Sequence, residues 1–400
     1  VRGALGLALA FVAWLATDSI VAAPIDVPHD VYIWQRHWTP AVRDALAQSR
    51  DVFTGVRVLV AQAGRDGRWA TSDVKPRDFD GDPRPLIAVV RYDGAGDPPD
   101  VAKLDAFLLD LLERWRAVGH PFAGVEIDYD CGKKSLADYA SRLRELRRTL
   151  PPGVALSVTA LPAWIGSRGL DSIIDATDET VLQLHALGKW PDGLFDQYAA
   201  LAWTRDFARE HARKPFRVSL PAYGYRVRFD TRGNAYAVEA EMPVDAASID
   251  DAREFVVEPR KVAGALLALE ADPPPLWRGV VWFRLPVEGD ERAWTLAAMR
   301  DVIAGRVPEA HLSPLAVARD NGATDVFMVN DGDADAMPRA FSADGDRCID
   351  ADAIGGWRFE ELKPSFRFVP GAEMRIRAHS RTAVGWLRCA GPVHVQFDID

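Results

Sequence analysis

Residues 124–132 read GVEIDYDCG, an apolar run in which Glu126, Asp128 and Asp130 occupy alternate positions. Side chains along a β-strand alternate between its two faces, so this spacing turns all three carboxylates to one side. Carboxylates packed that closely cannot all ionise cheaply, because each charge in a low-dielectric site raises the pKa of the others. A carboxyl group kept protonated near neutral pH is what general-acid chemistry requires, with a second carboxylate beside it as electrostatic partner. Two other uses fit the same spacing. The acids can form a structural cluster tied to Arg91 or Arg284, or they can share a divalent cation through all-oxygen ligands. A packed interior leaves little room for the waters such an ion keeps, so no metal is expected.

The elements that must position these acids alternate from residue 29 to about 306, short β-branched runs with longer amphipathic ones. That alternation marks a parallel α/β domain. Strands are predicted at 31–35, 55–63, 85–93, 124–130, 154–161, 180–187, 216–224 and 279–286. The clearest helices are 100–119, with Leu104, Phe107, Leu108, Leu111 and Leu112 at helical spacing, and 135–150, with Leu136, Tyr139, Ala140, Leu143 and Leu146. Each carries one apolar stripe to lay on a sheet. Eight strands with interposed helices in about 280 residues predict a (β/α)8 TIM barrel. An open, doubly wound sheet is the alternative. It would carry a Gly-rich phosphate turn after an early strand, and the sequence has none, so no cofactor is expected.

In such a barrel the chemistry sits at the carboxyl ends of the strands. Asp130 ends its strand, Asp128 lies one inward step below, and Glu126 lies a layer deeper. The other strand ends offer groups of a consistent kind. If Trp282 faces inward then Arg284 does too, and likewise Gln183 pairs with His185, Ser219 with Tyr223, and Ser157 with Thr159. Trp34, Trp38, Trp164 and Trp190 also fall at or just beyond strand ends. Aromatic rings stack on the C–H faces of sugars and neutral polar groups meet their hydroxyls, so this set suits a glycan. Arg91 and Arg284 point to an anionic or carboxylated one, unless both are spent on pairing with the acids.

The run AGVEIDYD resembles the fourth-strand signature of the family 18 glycoside hydrolases, the chitinase-like barrels, whose pattern is roughly D-G-x-D-x-D-x-E. SLPAYGY resembles their seventh strand, with its Tyr-Gly, and GVVWFRLP their eighth, with its inward Trp. Overall the chain is most similar to an exported bacterial family of unknown function, the domain of unknown function 3142 family, itself distantly similar to those hydrolases. The resemblance implies a glycosidase in which Asp128 matches the acid that orients the substrate's N-acetyl group. Asp130 stands where the hydrolases carry the Glu that protonates the leaving group, and is one methylene shorter. Glu126 replaces the first Asp of the pattern, and Leu184 and His185 replace the sixth-strand Tyr-Asp pair. Two functions follow: a hydrolase with Asp130 as general acid, Asp128 as partner and Tyr223, Trp282, Gln183 and His185 holding the sugar, or a lectin-like barrel that lost catalysis with the shortened acid.

The formal net charge is −10 and the pI about 5.4. Nucleic-acid binding needs a basic surface that releases counterions, so no such partner is expected. Residues 1–23 hold one Arg, an apolar run and small residues near Ala22 and Ala23, the layout of a secretory signal peptide. The expected location is therefore periplasmic or secreted, with no membrane contact beyond that segment, and the expected state is a monomer. In an oxidising compartment Cys348 and Cys389 form a plausible disulfide, leaving Cys131 as a structural thiol. Residues 312–400 lack helical spacing and read as a small β-sandwich-like domain. Within it Asp331, Asp333 and Asp335 resemble the start of a calcium loop without its closing Glu, so a solvated turn is expected.

Overall fold

A computed structural model describes the chain except for residues 1–26, 65–67, 93–100, 186–192, 231, 233–234, 240–250, 291, 363–364, 372–373 and 399–400. The predicted signal peptide and Trp190 lie outside the described residues. No described helix is long and apolar enough to cross a membrane.

Eight parallel strands close a barrel: β1 (His29–Ile33), β2 (Gly55–Ala63), β3 (Leu86–Tyr92), β4 (Phe122–Tyr129), β5 (Ala155–Ala160), β6 (Glu179–Gln183), β7 (Phe216–Pro221) and β8 (Trp277–Phe283). Strand β1 pairs with β8 on one side and β2 on the other, which closes the sheet and leaves no barrel edge. All eight predicted strands are present. Around them lie α1 (Pro40–Gln48), α2 (Val101–Ala117), α3 (Leu136–Thr149), α4 (Arg168–Ala176), α5 (Gln197–Glu210), α6 (Pro259–Ala271) and α7 (Leu296–Ile303). Helix α2 buries Leu104, Leu108, Leu111 and Leu112, each contributing about 2 kcal/mol of transfer free energy. It gives way at Gly119, whose φ of +87° only glycine adopts without cost. Helix α3 buries the predicted stripe of Leu136, Tyr139, Ala140, Leu143 and Leu146, and Pro151 stops it from continuing.

Between β7 and β8 the chain makes an unforeseen excursion, a three-stranded antiparallel sheet of Gly224–Phe229, Ala235–Glu239 and Asp251–Val256. The C-terminal region is antiparallel all-β, as expected. One four-stranded sheet holds Leu312–Ala318, Thr324–Asn330, Asp350–Ala353 and Ser380–Arg388; the other holds Phe341–Gly345, Arg358–Leu362, Ser365–Val369 and Val393–Phe397. Val326, Met328, Phe341, Phe368, Val384 and Leu387 form their common core. Cys348 and Cys389 are joined in a disulfide there. Asp333 meets His379 at 2.7 Å, and Asp335 accepts from the Ala378 amide at 2.9 Å and faces Arg377 at 3.3 Å, so these acids have structural partners.

The C-terminal sheets brace the barrel mouth. Arg377 donates to the carbonyls of Asp290 and Ala293 at 3.2 and 2.9 Å. That loop follows β8 and is also tied to the end of β7, through Gly224 N–H to the Arg292 carbonyl at 2.6 Å and Trp294 N–H to the Ala222 carbonyl at 2.9 Å. The Asp290 carboxylate in turn accepts from Arg284 at 3.0 Å. A wall of the barrel opening is thus gripped from both sides.

Inside the barrel the lower layer is ionic rather than apolar. Arg57 from β2 donates to Glu126 on β4, to Glu179 on β6 at 2.7 Å and to Asp30 on β1 at 3.2 Å. Arg217 on β7 adds a second cation, 3.0 Å from Glu179. Gly55 makes room: a Cβ there would sit 2.5 Å from the Asp30 carboxylate. Glu126 is fully buried and also accepts from Tyr32 at 2.5 Å and Ser157 at 3.1 Å. Burial pushes its carboxyl up, against the pull of Arg57. The expectation that Glu126 joins Asp128 and Asp130 as a reacting acid is therefore corrected. It shares their face of the strand but belongs to the layer beneath, held by Arg57.

Candidate active site

At the carboxyl ends of the strands the barrel opens into a cavity of about 880 Å³. Period-two alternation supplies its floor: above the Tyr32, Val89, Val181 and Val281 layer, the inward positions carry Asp128, Thr159, Gln183, Ser219 and Phe283. Asp128 is 1% exposed and accepts three hydrogen bonds, from Arg91 at 2.6 Å, Thr159 at 2.7 Å and Gln183 at 3.2 Å. Those donors come from β3, β5 and β6, so the carboxylate is fixed by three neighbouring strands. Asp130 lies just past the end of β4, at the opening, with its side chain 31% exposed and the Arg91 guanidinium 3.4 Å away. One cation thus reaches both acids.

The wall is aromatic. Phe283 packs against Trp34, Tyr223 and His185, with ring centroids 4.9, 5.1 and 5.3 Å apart. Arg91 lies over the Trp34 ring at 5.7 Å and Arg284 over Tyr223 at 5.6 Å. Burial pushes the Tyr223 hydroxyl well above its ordinary range, so it remains a protonated donor. Burial also brings the His185 imidazole down to about 4, with Asp128 opposing the shift and Arg91 adding to it. His185 is therefore neutral at pH 7. Its folded pKa lies below the value of about 6.5 for an unfolded histidine, so the unfolded chain takes up the proton first as the pH falls. Stability is expected to be full above pH 6.5 and to decline between 6.5 and 4. Urea unfolding across that window should show a shallower decline for His185→Gln, and an unchanged slope would mean that another group carries it.

Of the residues singled out from sequence, Asp128, Asp130, Gln183, His185, Tyr223, Arg284, Arg91 and Trp34 line this cavity. Three do not. Glu126 belongs to the ionic layer. Trp282 faces out of the barrel, fully buried, stacking on His29, packing tilted against Trp294 and donating to His29 Nδ1 at 3.0 Å; its neighbour Phe283 takes the inward place. Trp164 is 1% exposed and donates to the Cys131 carbonyl at 2.9 Å, packed on Tyr139. Trp38 is likewise buried, against Phe79. The Cys131 thiol is buried and pushed up to about 12 by that burial, an inert group. Arg36, Gln62, Trp203 and Phe283 line the cavity without having been singled out. Among the described residues no group of three His, Cys, Asp or Glu side chains could hold a metal ion.

The fold is thus a closed parallel TIM barrel with paired acids at the end of its fourth strand and an aromatic opening. The chain belongs to the DUF3142 family, a domain of unknown function, whose pattern matches residues 82–288. A second domain of unknown function, DUF8456, matches residues 313–390. Among solved structures, the spore cortex-lytic enzyme SleL of Bacillus megaterium QM B1551 superposes with a TM-score of 0.52 at 11% identity, covering 70% of this chain and 74% of that one. The Bacillus cereus SleL gives 0.51 at 11% identity, over 72% and 75%. A chitinase from Chromobacterium violaceum ATCC 12472 gives 0.47 at 15% identity, over 70% and 98%. No curated protein matches the sequence.

Proposed function

We propose that the protein is an exported, monomeric glycosidase, periplasmic or secreted, acting on a polysaccharide or amino-sugar glycan. Asp130 is the general acid and Asp128 its electrostatic partner. The observation that carries this reading is the pair itself: two acids of one strand end open into an aromatic-walled cavity, one fixed by three donors and the other at the opening. Asp130 gives its proton to the glycosidic oxygen, the bond from that oxygen to the anomeric carbon breaks, and water adds to the carbon while returning a proton to Asp130. Asp128 stabilises the positive charge that develops at the anomeric centre. Tyr223, Phe283 and Trp34 offer rings to the sugar faces, and Gln183 and His185 offer hydrogen bonds. The disulfide supports export, since such bonds persist in oxidising compartments.

One contact favours a second reading, a glycan-binding barrel without turnover. Arg91 lies 3.4 Å from Asp130, an ion pair that a general acid must give up before it can carry a proton. Incubation with chitin oligomers, peptidoglycan and bacterial exopolysaccharides, followed by mass spectrometry of soluble products, separates the two. New oligosaccharides that fall by at least about a hundredfold in Asp130→Asn support the hydrolase. Retention of a glycan without release supports the binder.

A further inference from the structure

We propose that the glycan is a carboxylated one and that Arg36 is the residue that reads its charge; the inference rests on the glycan reading above. Among the described residues three arginines line the cavity. Arg284 is buried and occupied by Asp290 at 3.0 Å. Arg91 is occupied by Asp128 at 2.6 Å and Asp130 at 3.4 Å. Arg36 differs from both: it is exposed at the opening, and among the described residues its guanidinium meets no carboxylate.

The charges decide what Arg36 is for. When Asp130 carries the proton its role demands, Arg91 cancels Asp128 and Arg284 cancels Asp290. Among the described residues the cavity is then left with the single positive charge of Arg36, in a chain whose net charge is −10. That long-range field repels polyanions, so an acidic sugar needs a local cation at the opening to enter. One guanidinium matches one carboxylate, in planar two-point geometry. A dianionic phosphate would leave a surplus charge facing Asp128. Trp34 stands two residues before Arg36 and lines the same cavity, so a ring for the sugar face and a cation for its carboxylate come from one segment. A second observation points to a polyhydroxylated ligand. The Ser219 hydroxyl on β7 lines the cavity, is 1% exposed, and has no hydrogen-bond partner among the described residues. A buried hydroxyl without a partner costs stability, and a sugar hydroxyl would satisfy it.

The test is calorimetric binding to Asp130→Asn protein, which blocks turnover, with three probes: a chitin hexasaccharide, a peptidoglycan glycan strand of similar length bearing its lactyl carboxylates, and the same strand with those carboxylates amidated. The carboxylated strand is expected to bind at least about tenfold tighter than the amidated one, with the difference shrinking at high salt. Adding Arg36→Gln should erase that difference and leave the amidated strand's affinity within about twofold, while Arg36→Lys should restore part of it. Equal affinity for the two strands, or a preference that survives Arg36→Gln, overturns the role of Arg36 while leaving a glycan site standing. Failure of all three probes to bind overturns the glycan reading and this inference with it.

Discussion

Arg57→Met is expected to remove about 3–5 kcal/mol of folding stability at pH 7, the cost of leaving a buried charge without its partner. Arg57 is the hub of the lower barrel layer, touching Glu126, Glu179 and Asp30. Glu179 and Asp30 keep a second cation in Arg217, at 3.0 and 3.7 Å, whereas among the described residues Glu126 is left with only the hydroxyls of Tyr32 and Ser157. The loss therefore concentrates on Glu126, and its pH dependence identifies it. Burial already raises the Glu126 carboxyl and Arg57 is the main force pulling it back, so the substitution raises it further. Between the unfolded value of about 4.3 and that raised value the folded chain binds the extra proton, so stability grows as the pH falls. Urea unfolding should show the deficit of Arg57→Met narrowing from pH 7 toward pH 5, and Arg57→Met with Glu126→Gln recovering much of it at pH 7. A deficit that is flat with pH would place the lost energy in packing around the arginine stem instead.

The barrel was legible because its evidence is distributed. Each strand run and helix stripe repeats a period that burial imposes, and a displaced boundary does not disturb the count. The ionic layer was not legible because no local pattern marks it: Asp30, Arg57, Glu126 and Glu179 come from four different strands and meet only when the sheet closes. GVEIDYD shows three acids on one face, but the layer each occupies is set by neighbouring strands. Parity at β8 failed for a related reason. GVVWFRLP is apolar at successive positions, so alternation within it does not reveal which ring turns inward, and Phe283 rather than Trp282 does. Gln183, His185 and Tyr223 were readable because polar and aromatic residues stand out at strand ends. Arg36 and Trp203 lie on a loop and on α5, where strand parity says nothing.

Asp130→Glu is expected to raise kcat on chitin oligomers by up to about a hundredfold, with KM changed by no more than about twofold. The extra methylene advances the carboxyl by about 1.5 Å, one single bond. Misplacement of a reacting group by about 1 Å is worth that factor in rate. Room exists for it: Asp130 is at the opening with a 31% exposed side chain, so the longer acid extends into the cavity and not into packed core. Asp128 keeps its own contacts from Arg91, Thr159 and Gln183, so the partner acid stays fixed while only the donor moves. Initial rates of reducing-end release measure the effect, with Asp130→Asn as the zero. A rise from no turnover to measurable turnover would mean that the shortened acid alone separates this barrel from a working chitinase. A fall on every glycan the unmodified protein cleaves would mean that the cavity is built around the short acid, with a substrate that sits deeper against β4, and would sink the view of Asp130 as a truncated glutamate.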